Sequence, residues 1–348
     1  MYYDQKYILY FFSALVAGLL LIISFGFYVE PVTGDLTRVG GWAERDYGWV
    51  NILPEIPVDD NVKDVGSADI LVLGDSFSWA NMWQSVLGRS LSRRVASHNY
   101  VQFNCIADWL EMLVRGGHVA GKEVIVESIE RLFVSRFSEV EDCRGSRSSE
   151  ALAVQPFDVS ANREVPTYKR TGRTIPTDVV YLLKVAMNSL LLEMGGGRRS
   201  ISGLAVNAPL ASRDLFSNRR SDRILYYYED DAESTWSDEQ IGKAVFSILA
   251  IQRRIEAAGG RFLFVLVPNK SSVYARFIVG RPDVERYTPI VRRLRDMGVG
   301  AVDVLAPFSE HAEKEADFYL PDDTHVSTKG YRVLGEVIAG EMRKMAAR

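Results

Sequence analysis

The stretch Ala68-Asp69-Ile70-Leu71-Val72-Leu73-Gly74 runs directly into Asp75-Ser76-Phe77-Ser78. Ile70 to Leu73 are all apolar, without alternation, which predicts a strand buried on both faces of a parallel sheet. Gly74 ends the run at a sharp loop, and a helical pattern follows over Trp79–Leu91. Strand, tight loop and helix in that order open a βαβ unit. A serine at the C-terminal end of such a strand stands where open α/β sheets bind ligands.

Outward from this unit, further strands are predicted at Arg94–His98, Glu123–Glu127, Arg261–Val267 and Gly300–Val304. Helical patterns separate them, over 104–115, 170–193, 237–258, 283–297 and 328–346. The alternation predicts an α/β fold: a three-layer, doubly wound parallel sheet with right-handed crossovers. Residues 135–235 break the rhythm with a polar segment (Glu139–Glu150), a helix, a Gly-Gly-Gly-Arg-Arg run at 195–199 and the acidic-aromatic cluster Tyr226–Asp231. They read as an insertion over the C-terminal edge of the sheet, where clefts and lids are built.

Upstream, Tyr7–Val29 contains no charged residue. As a helix it spans roughly 34 Å at about 1.5 Å per residue, against a hydrocarbon core about 30 Å thick. Tyr7, Tyr10 and Tyr28 sit near its ends, where amphipathic rings favour the membrane interface. A cleaved signal peptide is the competing reading, but the run is long for one and no A-x-A site follows. Lys6 precedes the segment and Glu30 and Asp35 follow it, which favours a cytoplasmic N-terminus and an exported remainder. The expected organisation is a transmembrane anchor over 1–29, a Pro-, Gly- and Asp-rich stalk or lead-in over 30–67, and the α/β domain over 68–348.

The 348 residues carry a formal net charge of -4, so no basic field exists to collect nucleic-acid phosphates. Arg198–Arg199 and Arg219–Arg220 read as solvated loop charge. The two cysteines, Cys105 and Cys143, have no metal-ligand spacing; one disulfide or two free thiols both fit. No motif for a metal or an organic cofactor is visible.

Gly-Asp-Ser alone is a common turn sequence, in which Ser76 would only cap a helix. A second motif changes its weight: Pro321-Asp322-Asp323-Thr324-His325-Val326-Ser327, ahead of the final helix. Serine becomes a useful nucleophile when a base takes its proton. Histidine does so near neutral pH, and a carboxylate fixes its tautomer and stabilises the imidazolium. Of four histidines, His325 lies in the Asp-rich loop, with Asp322 and Asp323 as alternative partners. The two motifs predict a Ser76–His325–Asp triad. Trp79 and Trp83, one helical turn apart, are candidates to stack on sugar rings, or core residues. Lys270 and Tyr274 follow a strand and are candidates for the cleft rim.

With these motifs in place the sequence resembles the SGNH/GDSL hydrolase superfamily, and within it the SGNH-like domains of alginate-type polysaccharide O-acetyltransferases. The resemblance rests on LVLGDSFS (71–78), VIVESIERLF (124–133), FVLVPNKSSVYAR (264–276) and FYLPDDTHVSTKGYRVLGEVI (318–338). The lead-in GDLTRVGGWAERDYGWV (34–50) also resembles membrane-anchored relatives. Three features depart from the family. Serine precedes the Asp-His motif here, as in ordinary SGNH esterases and unlike the alginate enzymes. The superfamily's oxyanion glycine and asparagine have no clear counterpart, which leaves the Ser76 amide with Gln102, Asn104 and Ser128 as candidates. The orienting acid is Asp322 by superfamily spacing and Asp323 by the Asp-Thr-His wording of the acetyltransferases.

The resemblance implies a flavodoxin-like SGNH fold and transfer of acetyl groups, through an acyl-serine and without a cofactor, to an exported polysaccharide. It further implies a single-pass protein of the inner membrane, its catalytic domain on the periplasmic side. The acetyl donor would be a lipid or a partner membrane protein that carries acyl groups outward. An esterase with the same triad, and a non-catalytic polysaccharide-binding or scaffold subunit of an export complex, are the alternatives.

Overall fold

The computed structural model describes residues 2–140 and 178–347, apart from 31, 60, 61, 63, 104, 105, 197 and 282–284. Cys105, Cys143, Asn104 and most of the Glu139–Glu150 segment therefore lie outside the described residues. The strands are β1 (Ile70–Gly74), β2 (Val95–Asn99), β3 (Glu123–Ile129), β4 (Ala205–Pro209), β5 (Arg223–Tyr227), β6 (Arg261–Val267) and β7 (Ala301–Val302). The helices begin with α1 (Tyr2–Val29), α2 (Asp35–Gly40), α3 (Glu44–Tyr47), α4 (Ser76–Trp79), α5 (Met82–Leu91), α6 (Ile106–Arg115) and α7 (Phe133–Phe137). They continue with α8 (Val179–Glu193), α9 (Asp238–Ala257), α10 (Lys270–Val273), α11 (Tyr287–Asp296), α12 (Leu305–Lys314) and α13 (Thr328–Ala346).

β2, β1, β3, β6 and β7 form one parallel sheet in that order. β1 pairs with β2 on one side and β3 on the other, so the winding reverses between β1 and β3. That is a topological switch point, where crossovers diverge and leave a crevice beyond the strand ends. The unbroken apolar runs follow from burial on both faces. Ile70, Val72, Ile125, Val265 and Val302 pack under α5 and α13, while Leu71, Leu73, Val124, Phe264 and Leu266 pack with α6, α9 and α11. Each such side chain contributes about 1.5–3 kcal/mol by leaving water.

Segment 30–67, expected as a lead-in, supplies α2, α3 and the buried side chains Leu36, Trp42, Tyr47, Trp49 and Leu53. Within the insertion, β4 and β5 form an antiparallel hairpin that the sequence reading did not anticipate. Ala205 and Leu225 pack against Leu36, Trp42 and Tyr47, and Val206, Ala208 and Tyr226 against the main core. The hairpin thus lies between the lead-in and the body of the domain. α1 holds a candidate span of 24 residues, Lys6–Val29, whose most apolar stretch has mean hydropathy 2.5 and is not buried, whereas Gly26 and Val29 near its C-terminal end are.

Candidate functional site at the switch point

Ser76 opens α4 immediately beyond β1. Gly74 has to be glycine, because a Cβ there would lie 2.0 Å from Ser78 Oγ and 2.6 Å from Glu127 Oε2. Asp75 is the N-cap, its Oδ1 accepting from the Phe77 amide (3.1 Å). Its Oδ2 accepts from the Ile129 amide (2.8 Å) and from Arg136 Nη1 (2.9 Å). Burial opposes the Asp75 charge, but Arg136 and these amides hold its pKa below the ordinary value. Glu127 lies behind it, accepting from Ser78 Oγ (2.7 Å) and the Asp75 amide (3.0 Å). Burial, then the Asp75 charge, push Glu127 well above its ordinary pKa, which favours its neutral form. Ser76 therefore stands on a turn fixed from below by a buried polar network, and is itself half-buried.

His325 Nε2 lies 2.7 Å from Ser76 Oγ, and its Nδ1 lies 2.6 Å from Asp323 Oδ1. Asp323 Oδ1 also accepts from the His325 amide at 2.9 Å, which locks ring and carboxylate together. Burial penalises the Asp323 carboxylate, yet the facing His325 and these hydrogen bonds carry its pKa down to about 2. Burial likewise penalises the imidazolium, but Asp323, with Asp35 behind it, raises His325 above the ordinary histidine value. Phe77 packs against the imidazole, centroids 4.9 Å apart.

Asp35 and Glu44, both from the lead-in, were not among the residues expected at the site. The Asp35 amide donates to Asp323 Oδ2 (3.2 Å), and its carboxylate accepts from the Thr324 amide (2.8 Å) and Thr324 Oγ1 (2.6 Å). Asp35 Oδ2 lies 4.0 Å from His325 Nδ1. Burial, then the Asp323 charge, raise Asp35 to a pKa of about 6. The Leu36 and Thr37 amides at the start of α2 both point at the Asp322 carbonyl (3.0 and 3.3 Å). Gly34 allows that approach, since a Cβ would fall 2.1 Å from the same oxygen. The signal for these residues was the motif-like wording of 34–50, which sequence alone could not connect to the distant loop.

Asp322 points away from His325. It is fully buried, shares Thr33 Oγ1 with Glu44 (3.2 and 2.5 Å), and is pushed well above its ordinary pKa by burial and then by Glu44. Asp323 is the carboxylate brought to the histidine. Lys270 and Tyr274 are not on a cleft rim, because both are buried. Lys270 Nζ donates to the carbonyls of Leu320 (2.6 Å), Pro321 (3.0 Å) and Asp323 (3.2 Å), beneath the loop. Tyr274 Oη accepts from the Tyr319 amide (3.3 Å).

Trp79 is 38% exposed beside Ser76, whereas Trp83 is wholly buried in the core under α5 and is no platform for a ligand. Ser128 is also buried, accepting from Arg136 Nη1 (2.6 Å) and donating to the Ile129 carbonyl (3.2 Å), so its proton is already committed. Gln102 Oε1 accepts from the Asn99 amide (2.9 Å) at the end of β2. The Ser76 amide is in the first turn of α4, where amides lack intrahelical acceptors.

Residues 221–348 match the family model of the SGNH hydrolase-like domain of acetyltransferase AlgX. This is the family resembled by the motifs, and the match covers the Asp323–His325 loop, Lys270 and α13. Ser76, Asp35 and Glu44 lie outside the AlgX-like span. No curated protein matches the chain. The five-stranded parallel sheet and the N-terminal apolar helix fit the SGNH-like fold.

Asp35, Asp323 and His325 bring ligand-capable atoms within 4.8 Å of one another. Those atoms are already engaged, by Thr324 on Asp35 and by one another at the Asp323–His325 contact. An open recess of about 740 Å3, lined by Gln252, Arg261, Gly300 and Met345, lies at the opposite, N-terminal ends of β6 and β7 and holds none of the site residues.

Proposed function

We propose that this protein is a membrane-anchored serine O-acetyltransferase acting on an exported polysaccharide, with Ser76 as nucleophile, His325 as base and Asp323 as orienting acid. The observation that carries the reading is the continuous hydrogen-bonded chain Ser76 Oγ–His325 Nε2 and His325 Nδ1–Asp323 Oδ1. The AlgX-like match supports acyl transfer as the chemistry.

In the first half-reaction, His325 Nε2 takes the Ser76 proton while Oγ bonds to the acetyl carbonyl carbon of the donor. The developing oxyanion is met by the Ser76 amide at the start of α4. The donor's leaving group departs with the proton from His325, leaving acetyl-Ser76. In the second half, His325 takes the proton of a sugar hydroxyl, whose oxygen attacks the acetyl carbon. Collapse breaks the Ser76 ester bond and returns the proton to Oγ. The Asp323 charge stabilises the imidazolium in both halves. Trp79, exposed three residues after the nucleophile, would stack on a sugar ring, and the donor would be a lipid or an acyl-carrying membrane protein.

α1 is read as the anchor over 1–29, 30–67 as a lead-in that completes the site, and 68–348 as the catalytic domain on the periplasmic side of the inner membrane. An esterase is the second reading, favoured by the serine-first motif order. The test uses the full chain in detergent with p-nitrophenyl acetate, with and without oligosaccharides, beside Ser76→Ala and His325→Ala. Acetyl mass on the Ser76 peptide, followed by acetylated sugar, supports transfer. Acetate as the sole product supports the esterase. A folded protein that never acetylates Ser76 and releases no nitrophenol refutes both.

A further inference from the structure

The outward face of α8 reverses the pattern of a water-facing helix. Val180, Leu183, Met187, Leu190 and Met194 recur at helical spacing, and their exposures are 61, 57, 53, 58 and 73%. Val179, Ala186 and Leu191 are exposed on the same side, so every outward position from 179 to 191 is apolar. A surface helix normally presents charged and polar residues there. Of the polar groups of α8, Tyr181 and Asn188 point inward, Lys184 and Ser189 are half-buried, and Glu193 is exposed in the last turn. Tyr181 Oη donates to the Trp42 carbonyl (2.8 Å), and Asn188 Nδ2 donates to the carbonyls of Gly40 (2.9 Å) and Gly41 (2.7 Å). Contiguous apolar surface of this kind marks an interaction site rather than ordinary exposure.

What covers the face is indicated by its neighbour. Tyr181, Leu182 and Val185 on the inner side of α8 pack against Ile22, Phe25 and Val29, the last two turns of the apolar span in α1. Seven residues separate Ile22 from Val29, roughly 10 Å of helix. Amphipathic helices that lie in a membrane interface bury their apolar face about 5–10 Å into the boundary between headgroups and acyl chains. The inner side of α8 is therefore held against the end of the helix that would cross the bilayer. Arg198 and Arg199 are exposed just beyond its C-terminus, and basic side chains of this kind reach the headgroup layer from an interfacial helix.

We infer that α8 is an interfacial membrane helix, its Val180–Met194 face embedded in the bilayer beside α1. The inference rests on reading α1 as a retained anchor. It fixes the domain against the membrane through two helices, so Ser76 works at a set height above the lipid rather than at the end of a tether.

The test places the photoreactive residue benzoyl-phenylalanine at Met187, Leu190, Leu15 in α1, or Phe246, an exposed aromatic on α9 (59%). The full chain is reconstituted in phosphatidylcholine and phosphatidylglycerol vesicles, irradiated, and read by mass. Lipid adducts at Met187 and Leu190 comparable to those at Leu15, and at least about tenfold above Phe246, are expected. Adducts at Leu15 with background levels at Met187 and Leu190 overturn the inference while leaving the anchor in place. Adducts to protein instead of lipid at α8 overturn it in favour of a second copy or a membrane partner. Absence of lipid adducts at Leu15 refutes the anchor itself.

Discussion

The Asp35 carboxylate accepts both the amide and the hydroxyl of Thr324, at 2.8 and 2.6 Å, from the far end of the chain. Thr324 sits between Asp323 and His325, so this clamp fixes the residue that joins the carboxylate to the imidazole. The same carboxylate lies 4.0 Å from His325 Nδ1 and is among the charges that raise its pKa.

Asp35→Asn is therefore expected to do two things. Removing the charge lowers the His325 pKa, which moves the acid limb of kcat/KM toward lower pH, by up to about one pH unit for a charge at this distance. Loosening the Thr324 clamp lowers kcat several-fold, with little change in KM. A pH–rate profile separates this from a purely structural role. An unmoved acid limb would show that Asp35 does not act on the base.

Asp322 and Asp323 are adjacent in sequence and opposite in chemistry. Asp323 is held ionised against His325, its pKa lowered to about 2, while burial and then Glu44 push the Asp322 pKa well above its ordinary value, toward the neutral form. Asn resembles the neutral acid and lacks the charge of the ionised one. Asp323→Asn should cut kcat by about 10^3 to 10^4, the scale of losing the orienting carboxylate of such a triad. Asp322→Asn should retain kcat within about tenfold and show its effect mainly as a change in melting temperature. Equal losses of kcat would return the assignment to either residue.

For the unmodified protein, His325 must be neutral to accept the Ser76 proton. Its pKa is raised above the ordinary 6.5, so activity should fall as pH drops through a midpoint higher than that value. Asp323 stays ionised over the same range and contributes no inflection. The pH dependence of acetyl-Ser76 formation, followed in single turnover, checks the sign. A midpoint well below 6.5 would mean that the Asp323–His325 contact does not persist in the working enzyme.

The main sheet was legible chiefly because β1 and β6 are short apolar runs bounded by glycine or charge, and β6 coincides with its expected span, Arg261–Val267. Ser76, His325 and the Asp pair were legible because each motif needs only a few consecutive residues. The Asp35 contact was not, because it joins positions 288 and 289 residues apart and exists only after folding. Trp79 and Trp83 fail to share a face for a local reason. Asn81 adopts a left-handed conformation (φ 50°) that breaks the helix between them, leaving Trp79 outside and turning Trp83 into the core. Lys270 was expected at the surface, and its burial is understandable only once three carbonyls are seen converging on it.

Those three carbonyls give a last prediction. Lys270 Nζ spends its donors on Leu320, Pro321 and Asp323, the residues that lead into His325. Burial lowers its pKa to about 8 although the nearby aspartates oppose this, so at neutral pH it remains predominantly charged. Lys270→Met fills similar volume but leaves the carbonyls without donors, at about 1–3 kcal/mol for each group that water cannot reach. The loop should then relax away from Ser76, and misplacement of a catalytic group by about 1 Å can cost 10^2-fold in rate. The expected outcome is a loss of about 3 kcal/mol in urea unfolding together with a kcat reduced about 100-fold. Reduced stability with unchanged kcat would show that the loop is held by Asp35 and Glu44 alone. Unchanged stability would mean that the lysine does not bind those carbonyls at all.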